Sequence, residues 1–284
     1  MTRETAPLVG LKQALHAFAT AAATQSQGHI RPLHQHLAQR LVIEGGFRPE
    51  DITPRPPLRI ERGKRGSSYS LVFDAALANA SEQTVLGGLK TKSVDVVVSK
   101  REIGPSLAIS VKGTFNAFRN LTNRMEEAAG DCTNLHIAYP ALVYGFLHVL
   151  RANRASDTST RNDVAIEESG AVVDSIRRYH DAMARITNRS DIRNDVSRYE
   201  AVAIALVHPS GESIAEVVGD FPLSESPLAF ARFFDDLYRA YDLRFVYTAP
   251  ALEPITRRMI WSESSPVIES AIASGFLPRL GSDE

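Results

Sequence analysis

The chain has little thiol chemistry: Cys132 is the single cysteine in 284 residues. One thiol makes neither an internal disulfide nor a four-cysteine zinc cluster, which excludes a secreted disulfide framework. No apolar run approaches the roughly 20 residues of a membrane-spanning helix. The opening MTRETAPLVG lacks the basic patch and apolar segment of a signal peptide. The chain therefore reads as a cytoplasmic protein without a membrane partner. Net charge is scarce too, since 32 Lys and Arg face 33 Asp and Glu. A protein that only wraps DNA is usually strongly basic, so this balance argues against that role while leaving room for a local basic groove. Repeats and low-complexity segments are absent. What is present, 44% hydrophobic and 23% charged residues, is the composition of a globular chain with a substantial core.

Periodicity divides the chain. Leu8, Leu11, Leu15, Phe18 and Ala22 recur at steps of three and four and predict a helix. A second helix is expected from Pro32 through Leu33, Leu37 and Leu41, stopping at Gly45-Gly46. A proline-rich connector, Arg48 to Pro57, follows. Residues 1–57 thus read as a helical N-terminal region and connector, and 58–284 as the main domain. In the latter, Leu71 to Phe73, Val94 to Val98 and Leu107 to Val111 are strand-like, and Ala141 to Leu150 reads as another strand whose length also allows a buried helix. Phe115 to Ala129 and Val172 to Ile186 are predicted helices. In the strand around Val202, Ile204 and Leu206, the large residues alternate with Ala201, Ala203 and Ala205, so a helix can approach the alanine face closely. Ser226-Pro227 reads as the cap of a helix ending near Tyr241, whose Phe and Tyr residues are core, and Leu243 to Tyr247 reads as a further strand. The expected fold is mixed α/β (α+β), a central mixed sheet flanked by helices with a helical N-terminal part.

Chemistry concentrates in residues 92–128, KSVDVVVSKREIGPSLAISVKGTFNAFRNLTNRMEEA. Asp95 is the one charge in an apolar strand, and a buried carboxylate is costly unless paired or bound to a metal. Lys112 ends the next apolar run, and a hairpin of the two strands brings it near Asp95. Glu126 and Glu127 lie on the helix that follows. Taken singly, each of these residues is also what an ordinary strand end or solvated helix face carries. Together they suit phosphodiester hydrolysis: carboxylates hold divalent cations such as Mg²⁺, and a lysine steadies the charge that develops on phosphate.

This stretch resembles the PD-(D/E)XK nuclease superfamily, in which an Asp on one strand is followed by an acid-x-Lys on the next. Ser110 stands where that acid is usual, and Val94 where a proline is usual. Ser110-Val111-Lys112 is similar to the variant of the CCGG-recognising restriction endonucleases, where a glutamate on the following helix replaces the missing acid. Glu126 lies fourteen residues after Lys112, where that glutamate is expected, with Glu127 the adjacent alternative. The resemblance implies a restriction-endonuclease-like catalytic domain, Mg²⁺ held by Asp95 and Glu126, water activation by Lys112, and Ser110 bonded to a metal-bound water. It also implies double-stranded DNA as substrate, cut to a 5′-phosphate and a 3′-hydroxyl by a homodimer or higher homo-oligomer. Two other readings keep the fold: a structure-dependent repair nuclease, or an inactive nuclease-like subunit that binds DNA or assembles with other proteins.

The charge pattern fits a phosphate partner. Lys92, Arg119 and Arg124 belong to one basic stretch around the motif, and Arg62, Lys64 and Arg65 to another, all expected to contact DNA. The run KRGSSY lacks the spacing of a phosphate-binding P-loop. His29, His34 and His36 are not expected to bind metal, because their spacing completes no ligand motif. His136 and His148 are expected to be structural, and a minor role near DNA is left open for Asp131, Asn134 and His136.

Overall fold

The computed structural model describes residues 7–22, 27–62, 69–79 and 81–281. Lys64 and Arg65 lie outside the described residues. Helix α1 spans Leu11–Thr20 and α2 spans Arg31–Ile43, as the apolar spacing predicts. Pro32 occupies the first turn of α2, where its missing N–H has no intrahelical partner to lose. The helix stops at Gly45-Gly46. Gly46 has φ +68°, and a Cβ there would lie 2.2 Å from the Met259 carbonyl oxygen, so glycine alone fits.

The connector is not merely a link, because it contributes a short strand, β1 (Ile52–Thr53), to the central sheet. Strands β2 (Leu58–Arg62) and β3 (Tyr69–Phe73) pair antiparallel, as do β4 (Gln83–Leu86) and β5 (Thr91–Val94). Next come β6 (Val96–Lys100), β7 (Gly104–Thr114), α3 (Leu121–Ala138), β8 (Val143–Arg151), α4 (Asp174–Met183), β9 (Ala201–Val207) and α5 (Phe233–Tyr241). The C-terminal part holds α6 (Glu253–Thr256), β10 (Trp261–Ser262), α7 (Ile268–Ala273) and β11 (Leu280–Gly281).

The central sheet runs β1-β6-β7-β8-β9. Its first two pairings are antiparallel and its last two parallel. This is the mixed α/β architecture the sequence predicts. Strand period two sends Val96, Val98, Ile109, Val111 and Leu147 to one face, against α1, α2 and α5. Val97, Ala108, Phe146, Val202 and Ile204 go to the other, with Leu135 of α3 and Ile176 of α4. The N-terminal helices therefore share one core with the sheet. As expected for β9, its alanines face the bulky helix: Ala201 and Ala203 pack with Phe233 and Leu237 of α5. Gly145 serves the same approach from β8, since a Cβ there would meet Phe233 at 2.8 Å. Among the described residues no helix is long and apolar enough to cross a membrane.

Three local expectations fail for identifiable reasons. Leu243 to Tyr247 is not a strand but a wide helical turn continuing α5. Arg244 is tied to Glu200, and Phe245 packs tilted against Tyr241 at 5.1 Å, so these contacts override the apolar pattern. Ser226 caps a turn rather than a helix. Its Oγ accepts the Leu228 N–H at 3.1 Å and bonds His180, and α5 starts only at Phe233. The helix expected over Phe115 to Ala129 is displaced along the chain: a short 3₁₀ turn, Phe118–Asn120, leads into α3, which continues to Ala138.

Candidate active site

Asp95 sits where the chain changes partners. Val94 still pairs with Gln83 of β4, whereas Val96 already pairs with Ile109 of β7. The intervening residue belongs to neither ladder, and its carboxylate turns into a recess between the strands and α2. There Oδ2 accepts the backbone N–H of Val111 at 2.7 Å. Oδ1 lies 3.6 Å from Nε2 of His34, which α2 supplies, and the Asp95 side chain keeps 20% of its exposure. Burial pushes the Asp95 carboxyl above its ordinary value, outweighing the downward pull of His34, the Val111 N–H and Lys112.

The hairpin of β6 and β7 brings Lys112 close enough for its charge to act on Asp95, but its side chain lies on the sheet face that α3 covers, opposite α2. Strand β7 runs on to Thr114, so Lys112 is held within it rather than at its end. Its ammonium lies 3.6 Å from Oε1 of Glu127. Glu127 also accepts a 2.9 Å hydrogen bond from Arg124, one turn earlier on α3. Partial burial pushes the Glu127 carboxyl upward, but Lys112 and Arg124 outweigh it and hold it below the ordinary glutamate range.

Of the two adjacent glutamates, the one beside Lys112 is Glu127, not Glu126. Leu121, Ala128, Cys132 and Leu135 form the buried stripe of α3. At about 100° per residue, Glu126 points away from that stripe into solvent, while Glu127 flanks it beside Lys112. Ser110 lies apart from Asp95. It is buried and shares a 2.7 Å hydrogen bond with the Tyr144 hydroxyl inside the layer between sheet and helix. Its hydroxyl is therefore committed to the core rather than to a water at Asp95.

The expected phosphate contacts divide. Lys92 is not free for DNA: its ammonium is bonded to Asp131, a buried carboxylate on α3, with Lys90 at 3.9 Å from the same group. Asn134, one turn further, accepts the N–H groups of Leu89 and Lys90 at 2.8 and 3.0 Å. Asp131 and Asn134 thus pin the β4–β5 turn to α3, a structural use. Arg119 is exposed beside an open groove of about 720 Å³ lined also by Arg161, Glu167 and Glu168. Arg124 keeps 53% of its side chain in solvent, and Arg62 is exposed at the end of β2.

The residues that sequence reasoning missed are His34 and Glu82. With Asp95 they form a group whose ligand atoms all lie within 4.8 Å of one another. Continuing the β4–β5 register one step beyond Gln83 and Val94 sets Glu82 opposite Asp95, so the Gly87-Gly88 hairpin turn was a usable signal. His34 had none, being 61 positions away in sequence. Its imidazole is buried, and that burial lowers its pKa below the ordinary 6.5, against the upward pull of Asp95 and Glu82. Of the other histidines, His148 is held between Thr114 and Tyr179 at 2.8 and 2.7 Å, and burial pushes it down to about 3. His136 bonds the Val196 carbonyl at 3.1 Å. Both are buried and held by protein partners.

Compared with protein-family models, with curated proteins and with solved structures, the chain matches none.

Proposed function

We propose that this chain is a divalent-metal-dependent nuclease that hydrolyses phosphodiester bonds in duplex DNA. The observation that carries the reading is Lys112, whose charge acts on Asp95 and whose ammonium pairs with Glu127. Asp95 lies just before β6, Lys112 on the adjoining strand, and Glu127 on the next helix at 3.6 Å from Lys112. The donor set suits a hard cation, since both acids offer carboxylate oxygens and Asp95 carries a charge that the protein incompletely compensates. Asp95 and Glu127 are the residues that would hold Mg²⁺, which when bound lowers the pKa of a water and neutralises charge developing on phosphate.

The chain's own groups do the rest. The Val111 N–H fixes the Asp95 carboxylate in one orientation. Lys112, half-buried in a site of reduced dielectric, directs its ammonium at the oxygens that become charged in the transition state. Exposed Arg119 and Arg124 supply phosphate contacts. Cutting both strands of a duplex calls for two such sites, hence a homodimer, and restriction of foreign DNA is the role that fits best. One observation favours a second reading, an inactive nuclease-like DNA-binding or assembly subunit: Ser110, bound to Tyr144, leaves the strand without its own acid.

The test is incubation of the purified chain with unmethylated plasmid and a long phage DNA, with Mg²⁺ or with EDTA, alongside Lys112→Ala. Discrete fragments that need Mg²⁺ are expected, with cleavage by the variant slower by about two orders of magnitude, the loss of roughly 3 kcal/mol of charge stabilisation. A smear, or cutting confined to branched DNA, points to the repair nuclease. No cleavage with any divalent metal while duplex DNA is still bound establishes the inactive subunit.

A further inference from the structure

The group around His34 has a chemistry of its own. It offers one imidazole nitrogen and two carboxylates, on the Oδ1 side of Asp95, and none of these donors comes from α3. His34 retains about 6% of its side-chain exposure, and its Nε2 is buried without a hydrogen-bond partner. A buried ring nitrogen left unbonded is uncommon, because desolvating it is unfavourable unless something replaces the water. The atom is aimed at Oδ1 of Asp95 at 3.6 Å, close to the separation of about 3.4 Å between two ligands on one tetrahedral ion at 2.0–2.1 Å.

A small cavity coincides with these atoms. It measures about 10 Å³ and is lined by His34, Glu82 and Asp95 together with Arg31, Gln35 and Pro54. That is room for one particle the size of a water molecule or ion and for no organic ligand. Arg31 brings a positive charge to the recess, set against two carboxylates. Glu82 is steadied by the Ser93 hydroxyl, which donates to its Oε2 at 2.6 Å.

We propose that His34, Glu82 and Asp95 bind a first-row transition dication of the Mn²⁺ or Zn²⁺ type. An imidazole suits these ions, whereas Mg²⁺ and Ca²⁺ favour all-oxygen surroundings. Binding here is independent of the nuclease reading. A consequence rests on that reading: Asp95 is common to both groups, so an ion at His34 lies beside the cleavage site and shifts its metal preference toward Mn²⁺.

The test titrates the metal-free full chain with Mn²⁺ alone, following free Mn²⁺ by electron paramagnetic resonance, with Mg²⁺ as competitor. One Mn²⁺ per chain is expected, not displaced by a tenfold excess of Mg²⁺. His34→Ala and Glu82→Gln should each weaken binding by about tenfold or more, while Glu127→Gln changes it less than about twofold. Glu82 is half-buried at the recess edge, so Glu82→Gln decides the matter should His34→Ala not fold. The proposal is overturned if the wild type binds no Mn²⁺ at millimolar concentration. It is equally overturned if Glu127→Gln abolishes binding and Glu82→Gln leaves it intact, which assigns the ion to Asp95 and Glu127. Because the readout is binding, absence of DNA cleavage leaves this result standing, and loss of Mn²⁺ binding leaves Mg²⁺-dependent cleavage untouched.

Discussion

Glu200 and Asp95 are carboxylates at the entry to strands of the same central sheet, both withdrawn from bulk solvent, and their surroundings drive them in opposite directions. Glu200, just before β9, is fully buried between two guanidiniums: Oε1 accepts Arg189 at 3.0 Å and Arg244 at 2.7 Å. Its Oε2 accepts the Tyr144 N–H at 2.7 Å and lies 3.4 Å from His136. Burial pushes this carboxyl up, but His136, Arg244 and the Tyr144 N–H outweigh it and hold it below the ordinary glutamate range. Asp95 has one backbone N–H and a histidine beyond hydrogen-bond distance, and there burial prevails. The number of donors, not the depth of burial, sets the sign. A carboxylate saturated by protein fixes β8, β9 and the turn after α5 in place. One left unsaturated at a strand break is available to a ligand.

The largest effect expected from this contrast is at the saturated site. Glu200→Ala leaves Arg189 and Arg244 buried without their shared anion, and should lower unfolding stability by about 3–5 kcal/mol, read by urea denaturation. The pH dependence has a definite sign. A carboxyl held below its unfolded value binds fewer protons in the native state, so its stabilisation is full above about the ordinary 4.5 and is lost as pH falls through the folded value. The penalty of Glu200→Gln relative to wild type should therefore shrink in acid. A penalty constant from pH 7 to pH 3 would show that Glu200 is not an ionised anchor.

Asp95→Asn inverts the pattern. The amide oxygen still accepts the Val111 N–H, and removing an under-compensated charge relieves its desolvation, so stability should stay within about 1 kcal/mol of wild type. DNA cleavage should fall by about two orders of magnitude, through loss of a metal ligand. If Asp95→Asn unfolds the protein as Glu200→Ala does, the distinction between structural and functional carboxylates collapses.

What could be read from the sequence follows the same physics. Apolar strands carrying a single charge announced Asp95 and Lys112, because period-two burial leaves few positions for a charge on a central strand. The β9 alternation announced the helix on its alanine face. Contacts made by folding two remote elements together were silent. Helix α2 buries Leu33, Leu37 and Leu41 and also His34 and His36, since it is enclosed on several sides. His36 is stacked on Phe276 at 5.0 Å and bonded to the Val9 carbonyl, and burial pushes it down to about 4. A stripe count registers only the leucines. Lys92 was misjudged for the same reason, as its partner Asp131 lies 39 positions away.

Glu126 and Glu127 give the smallest expected effect and the sharpest version of the comparison. They are adjacent in sequence and about 100° apart around α3. Counting from Lys112 selects Glu126, but helix phase selects Glu127, because Leu121 and Ala128 fix which side meets the sheet. Both are exposed enough that substitution by Gln should move stability by no more than about 0.5 kcal/mol. Cleavage should separate them, with Glu127→Gln losing about tenfold or more and Glu126→Gln matching wild type. The reverse order would require α3 to rotate by about a quarter turn when DNA and metal bind, which would bring Ala128 and Leu121 out of the core. Proteolytic protection of α3 with and without DNA would then reveal that rotation directly.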